Sequence, residues 1–420
     1  MRLLPLLLSA ALSASAAGRY LEVNYPPGDL PIAAKYTLWV PDTAKPLRAL
    51  IVHQHGCGAP AARGGSTAAF DLHWQALAAK WDAALLAPYY MQVDDKLCRE
   101  WSDPRNGSEK IFLRAIGNFA ARLRRPELKD APWVLWGHSG GGTWVGIMTL
   151  LHPERVAAVW YRSGAPMAET NIPEAVFSIP AMTNAGVNER EGRFQGAWDN
   201  SLGWFRRLRA KGAPIGFAPD PRSSHECADS RYLAIPYFDA VMAMRLPVQG
   251  VKLRTVLQAH AWLAQPLSDE ASPAASFRGD RNESVWLPNV AVAKAWAEYV
   301  KTGAVSDQTP PPAPSMVTAT RAASGAVEIS WRAEADFESG IQSFLILRDG
   351  AQIAQVPETP KGRFGRPLFQ PMSYHDTPEA PVPEPHYTDS EGGNHAYRVV
   401  TVNSVGLRSK PSRPARAVIE

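Results

Sequence analysis

From about residue 30 to about residue 305 the chain alternates two kinds of segment, and after that only one. Short apolar runs at 48–53 (RALIVH), 84–90, 132–136, 156–161, 179–184 and 214–218 read as buried strands. Between them lie stretches with helical spacing: Phe70, Trp74, Leu77, Ala78 and Trp81 mark one helix, 110–123 a second and 143–151 a third. Strands that alternate with helices pair in parallel, so the expected fold class is α/β, a doubly wound, mostly parallel sheet. Beyond residue 308 the period changes. Segments 326–331, 341–348 and 396–402 alternate residue by residue, Asp349-Gly350 is a hairpin signal, and a turn follows at Ser404 to Gly406. Strands and turns without helices predict a small all-β sandwich.

The change of pattern coincides with Pro310, Pro311, Pro312 and Pro314, a density of proline that makes a stiff connector. The expected division is 18–307 for the α/β domain, 308–314 for the linker and 315–420 for the sandwich. The Pro-rich stretch from Val356 to Pro385 reads as an inserted loop. The start of the chain has Arg2, an apolar run from Leu3 to Leu12 and small residues to Ala17. This is the pattern of an export signal cleaved after Ala16 or Ala17, too short for a membrane anchor, and it predicts a secreted or periplasmic protein.

Composition narrows the partners. With 44 Lys and Arg against 40 Asp and Glu, the net charge is +4, with no basic stripe to track phosphates, so nucleic acid is not an expected partner. Three cysteines, Cys57, Cys98 and Cys227, fit one disulfide and one remaining thiol and are too widely spaced for a metal site; no cofactor is expected.

The strongest chemical signal is Gly137-His138-Ser139-Gly140-Gly141, placed between the strand at 132–136 and the helix at 143–151. A turn this tight needs small neighbours and leaves the serine hydroxyl exposed above the sheet, as a nucleophile requires; the plainer alternative is a serine that only caps the helix. A serine hydroxyl needs a base, and the base a carboxylate behind it. Of the ten histidines, His225 follows the last expected strand, with His260 as the second choice. Glu189, three residues past Gly186 at the end of the strand at 179–184, is the expected acid; Glu191, Asp199 and Asp220 stay open. Amides of Gly140 and Cys57, the latter on the loop after the first strand, are expected to hold the oxyanion. His53 and His55 on that strand leave a metal-binding alternative that lacks a further ligand. For substrate contact the candidates are Trp101, Tyr90 and His138, with Tyr89, Trp144, Trp160 and Trp204 as further aromatics that more often belong to a core.

The order of elements, Gly137 to Gly141 and the segment His55-Gly56-Cys57 together resemble the α/β-hydrolase fold, and within it the polyhydroxybutyrate depolymerase and feruloyl esterase group. That resemblance implies a serine carboxylesterase; export and the appended sandwich suggest a large substrate such as a polyester or an acylated polysaccharide, and the candidate aromatics an aromatic ester. The resemblance also implies a disulfide from Cys57 to Cys98, which precedes Trp101; pairings through Cys227 are the rival. A serine peptidase of the same fold and an inactive matrix-binding protein are the alternatives. Trp331, Ser339-Gly340-Ile341, Arg348-Asp349-Gly350 and the run from Tyr397 to Gly406 resemble a fibronectin type III domain.

Overall fold

The computed structural model describes residues 18–59, 61, 62, 65, 68–333, 336–361 and 385–419. The expected export signal and most of the Pro-rich stretch lie outside these. Eight strands form the central sheet: β1 (Gly18–Tyr25), β2 (Ala34–Pro41), β3 (Leu50–Gln54), β4 (Ala84–Tyr90), β5 (Trp133–His138), β6 (Val156–Arg162), β7 (Ala181–Gly186) and β8 (Ile215–Asp220). Their spatial order is β1-β2-β4-β3-β5-β6-β7-β8. The first two pair antiparallel with their neighbours, and every pairing from β4 through β8 is parallel. Strands β3 and β5 to β8 are buried along their whole length, as a sheet covered on both faces demands.

The helices that cover it are α1 (Leu72–Lys80), α2 (Cys98–Ser102), α3 (Ser108–Leu123), α4 (Gly140–Leu151), α5 (Gln195–Arg209), α6 (Arg231–Arg245) and α7 (Val290–Thr302). In α3 the buried residues Ile111, Phe112, Ala115, Ile116, Phe119 and Leu123 recur at three- and four-residue spacing and turn one stripe to the sheet. Asp71 caps α1 by accepting from the backbone N–H of His73 and Trp74, and the same carboxylate pairs with Arg231 at the start of α6.

Two features were not expected from the pattern. The edge pair β1 and β2 extends the sheet by two antiparallel strands. A small three-stranded sheet, β9 (Trp262–Ala264), β10 (Ala271–Pro273) and β11 (Val285–Leu287), precedes α7.

After the linker, β12 (Ser315–Arg321), β13 (Val327–Arg332), β14 (Ile341–Arg348), β15 (Ala351–Val356), β16 (His386–Asp389), β17 (Ala396–Asn403), β18 (Ala415–Arg416) and β19 (Val418–Ile419) make two four-stranded sheets. The sheets meet across Trp331 and Phe344, whose rings pack edge to face at 5.3 Å. Most of the buried apolar residues of this sandwich join those of the α/β part in one continuous cluster; Leu345, Val400 and Val402 form a small cluster of their own. Polar contacts also bridge the two parts, among them His73 Nε2 at 2.9 Å from the Phe337 carbonyl and the Tyr232 hydroxyl donating to Ser404 Oγ at 3.2 Å.

Candidate active site

Between the last residue of β5 and the first of α4 stands Ser139 alone, with φ 54° and ψ −119°. That conformation is costly for a residue with a Cβ and persists only where the surroundings enforce it. Here they do. The Ser139 N–H donates to the Arg162 carbonyl at 2.8 Å, and the Ser139 carbonyl accepts from Gly142 and Thr143 at the start of α4. A Cβ on Gly137 would lie 2.2 Å from the Gly141 carbonyl, so only glycine lets strand and helix approach this closely.

The sharp turn sets the Ser139 hydroxyl 2.8 Å from His225 Nε2, and His225 Nδ1 is 2.5 Å from Glu189 Oε1. His225 lies on the loop after β8; Glu189 ends a single 3-10 turn after β7. Glu189 is wholly buried, and its other oxygen accepts from Ser163 Oγ at 2.8 Å and the Gly186 N–H at 2.9 Å. A buried carboxylate with three hydrogen bonds is fixed in orientation, and it in turn orients the imidazole.

The alternatives lie elsewhere. Glu191 and Asp199 are exposed, His260 is exposed just before β9, and the Asp220 carboxylate accepts from Tyr299 and from the Arg222 N–H.

Cys57 and Cys98 are joined in a disulfide, and Cys227 is buried outside it. The sulfurs press on the elbow: a Cβ on Gly140 would meet Cys57 Sγ at 2.2 Å and Cys98 Sγ at 2.8 Å. A Cβ on Gly56 would meet the Ser139 Cβ at 3.2 Å. The loop that carries Cys57 therefore sits directly beside Ser139 and Gly140.

Three residues expected to touch substrate are placed differently. Trp101 is buried in α2, where its one polar atom, Nε1–H, finds Gln92 Oε1 at 2.6 Å and its ring stacks on Tyr90 at 5.0 Å. Tyr90 is equally buried, its hydroxyl 2.9 Å from that of Tyr36. His138 is buried below the site with Nε2 2.5 Å from the His225 carbonyl. Burial, then the neighbouring His225 and Arg162, hold its pKa well below the ordinary value, so the neutral ring donates there. Trp144, Trp160 and Trp204 are core residues as well.

The metal alternative is not supported by His53 on β3 or His55 just after it. His55 donates from Nδ1 to the Gly56 carbonyl and accepts at Nε2 from the Tyr90 N–H, and His53 stacks on Trp136 at 4.0 Å. Among the described residues, no group of three or more His, Cys, Asp or Glu is arranged to hold a metal ion. Nor is any helix among them long and apolar enough to cross a membrane.

Three contributors carried no expectation: Ser163 on the acid, Phe194 stacked on the His225 ring, and Arg162 beneath the His225 loop. Of these only Arg162 left a trace in the sequence, as a lone charge closing the apolar run Val156–Tyr161.

The strand order, the elbow at Ser139 and the contact chain through His225 to Glu189 define an α/β-hydrolase architecture. No protein-family model matches the chain, and no curated protein does. Solved structures do. A poly(3-hydroxybutyrate) depolymerase from Bordetella parapertussis is 16% identical over 55% of this chain and 91% of its own, with a TM-score of 0.37. A ferulic acid esterase is 13% identical over 50% and 92%, with a TM-score of 0.36. The central fibronectin-III array of RIM-binding protein is 16% identical over 24% and 32%, with a TM-score of 0.16. At these values the activity has to be read from the geometry of the site.

Proposed function

We propose that the chain is a serine-dependent carboxylic ester hydrolase. The observation that carries this reading is the pair of contacts from Ser139 to His225 and from His225 to Glu189, set on an elbow with positive φ. His225 Nε2 takes the Ser139 proton as Oγ attacks the ester carbonyl, and Glu189 stabilises the imidazolium through Nδ1–H. The amides of Cys57 and Gly140 receive the developing oxyanion. The alcohol leaves with the proton from His225, and a water activated by the same ring releases the acid from Ser139.

Export is supported by the pattern of residues 1–17 and by a disulfide beside the site. A fibronectin type III-like reading of the sandwich is supported by its two four-stranded sheets packed across Trp331, and the idea of a large or polymeric ester as substrate rests on this appended unit and on export. The test is hydrolysis of a chromogenic short-chain ester. Ser139→Ala and His225→Ala should each lower turnover by roughly 10⁴-fold or more. Retention of activity by Ser139→Ala sinks the reading.

A further inference from the structure

The loop that carries His225 has no helix or strand of its own from 221 to 230. Such a segment is held in place by whatever its backbone groups bond to. Three consecutive carbonyls, of Ser224, His225 and Glu226, all turn away from solvent toward two buried side chains. Arg162 donates from Nη2 to the Ser224 carbonyl at 3.0 Å and to Ser223 Oγ at 2.8 Å. It also reaches the Glu226 carbonyl from Nε at 3.0 Å and from Nη2 at 2.5 Å. His138 Nε2 takes the carbonyl between them.

Arg162 is fully buried, and each of these acceptors is a carbonyl or a hydroxyl, none a carboxylate. A buried guanidinium without a carboxylate depends on such dipoles for its solvation. If the loop moved off, it would leave that charge uncompensated, so the charge and the loop hold each other.

We propose that Arg162, seconded by His138, is a positioning residue that fixes the general base: its planar fork locks the carbonyls on either side of His225 and so sets the imidazole against Ser139. This rests on the esterase reading and adds to it a residue outside the Ser-His-Glu set. Lysine keeps the charge but offers one point of donation, which cannot span Ser223, Ser224 and Glu226 together. A displacement of the base of order 1 Å costs about 10²-fold in rate.

The experiment measures the rate at which a fluorophosphonate probe labels Ser139 in the full-length protein, with thermal unfolding and circular dichroism alongside. Arg162→Lys should fold, bind a short-chain ester with little change in KM, and label about 10²-fold more slowly, with kcat falling in step. A folded Arg162→Lys protein labelled at the wild-type rate overturns the proposal and leaves the esterase reading intact. A wild-type protein that is never labelled at Ser139 overturns both. Should Arg162→Lys not fold, Ser223→Ala removes one contact of the fork from a small side chain. It should slow labelling about threefold to tenfold, and a wild-type rate there also overturns the proposal.

Discussion

The ring of Phe194 lies flat on the imidazole of His225, with centroids 4.1 Å apart and planes 3° from parallel. Phe194 is half-buried, and the Arg193 guanidinium stands 5.2 Å from its centre. One face of the base is thereby closed to water. An aromatic pair of this kind contributes about 0.5–1.5 kcal/mol, which corresponds to a factor of about two to ten if expressed at the transition state. Phe194→Ala should lower kcat/KM by about that factor, while Phe194→Tyr should keep it. Steady-state kinetics of the two variants on one ester decide the matter, and equal loss in both would mean that the stacked face is irrelevant.

Glu189 offers a second test. Glu189→Gln preserves shape but presents an amide that competes for the Ser163, Gly186 and His225 contacts, disturbing the imidazole tautomer. Turnover should fall by roughly 10³-fold, less than for Ser139→Ala, with the fold unchanged by circular dichroism. Wild-type turnover in this variant would remove Glu189 from the mechanism.

Reduction of the Cys57–Cys98 bridge should lower stability and activity together. The bridge closes a separation of 41 residues, and a link of that kind stabilises by about 2–4 kcal/mol. Because the sulfurs pack against Gly140, their separation also frees the loop expected to bind the oxyanion. Denaturant titration and an ester assay with and without reductant check this; loss of stability with full activity would separate the bridge from the site.

Acid should unfold the protein early. Burial lowers His53 and His73 to about 3 and His55 to about 4, and it holds His138 well below the ordinary value. The unfolded chain binds protons at these positions below about pH 6.5 while the folded chain does not, so stability falls as pH drops through that value. By pH 5 each such histidine costs on the order of 2 kcal/mol. Asp336 works in the opposite sense: burial raises it to about 6, so its burial penalty is relieved as pH falls through 6. Burial raises Asp71 as well, and with four histidines against these two carboxyls the net effect is acid lability. A urea midpoint that did not fall between pH 7 and pH 5 would contradict it.

Much of the fold was legible because buried parallel strands are continuous apolar runs, and Ala84–Tyr90 matches its expected bounds residue for residue. The edge strand β1 escaped notice for the opposite reason. β1 alternates only weakly and is half-exposed, so it lacks the signal that marked the centre of the sheet. At the site, Ser139, His225 and Glu189 could be chosen from order along the chain, because each follows a strand and strand ends converge on one edge of the sheet. Trp101 and Tyr90 could not be placed, since a ring beside a polar loop looks the same in sequence whether its polar atom faces water or Gln92. Phe194 was invisible, because stacking depends on where a loop folds back and not on any local period.

The contact between His73 and Phe337 has a consequence for how the chain can be cut. The prolines at 310–314 mark a seam in the covalent chain, but the seam does not divide the packing. His73, on α1, is fully buried, and its Nε2 bonds to a carbonyl of the sandwich. Lys80 reaches over the ring of the same Phe337. A protein shortened at the prolines would expose the start of α1, where Asp71 also anchors Arg231 and hence the helix that follows the His225 loop. In engineering terms, the linker is a place to lengthen or label the chain and a poor place to end it.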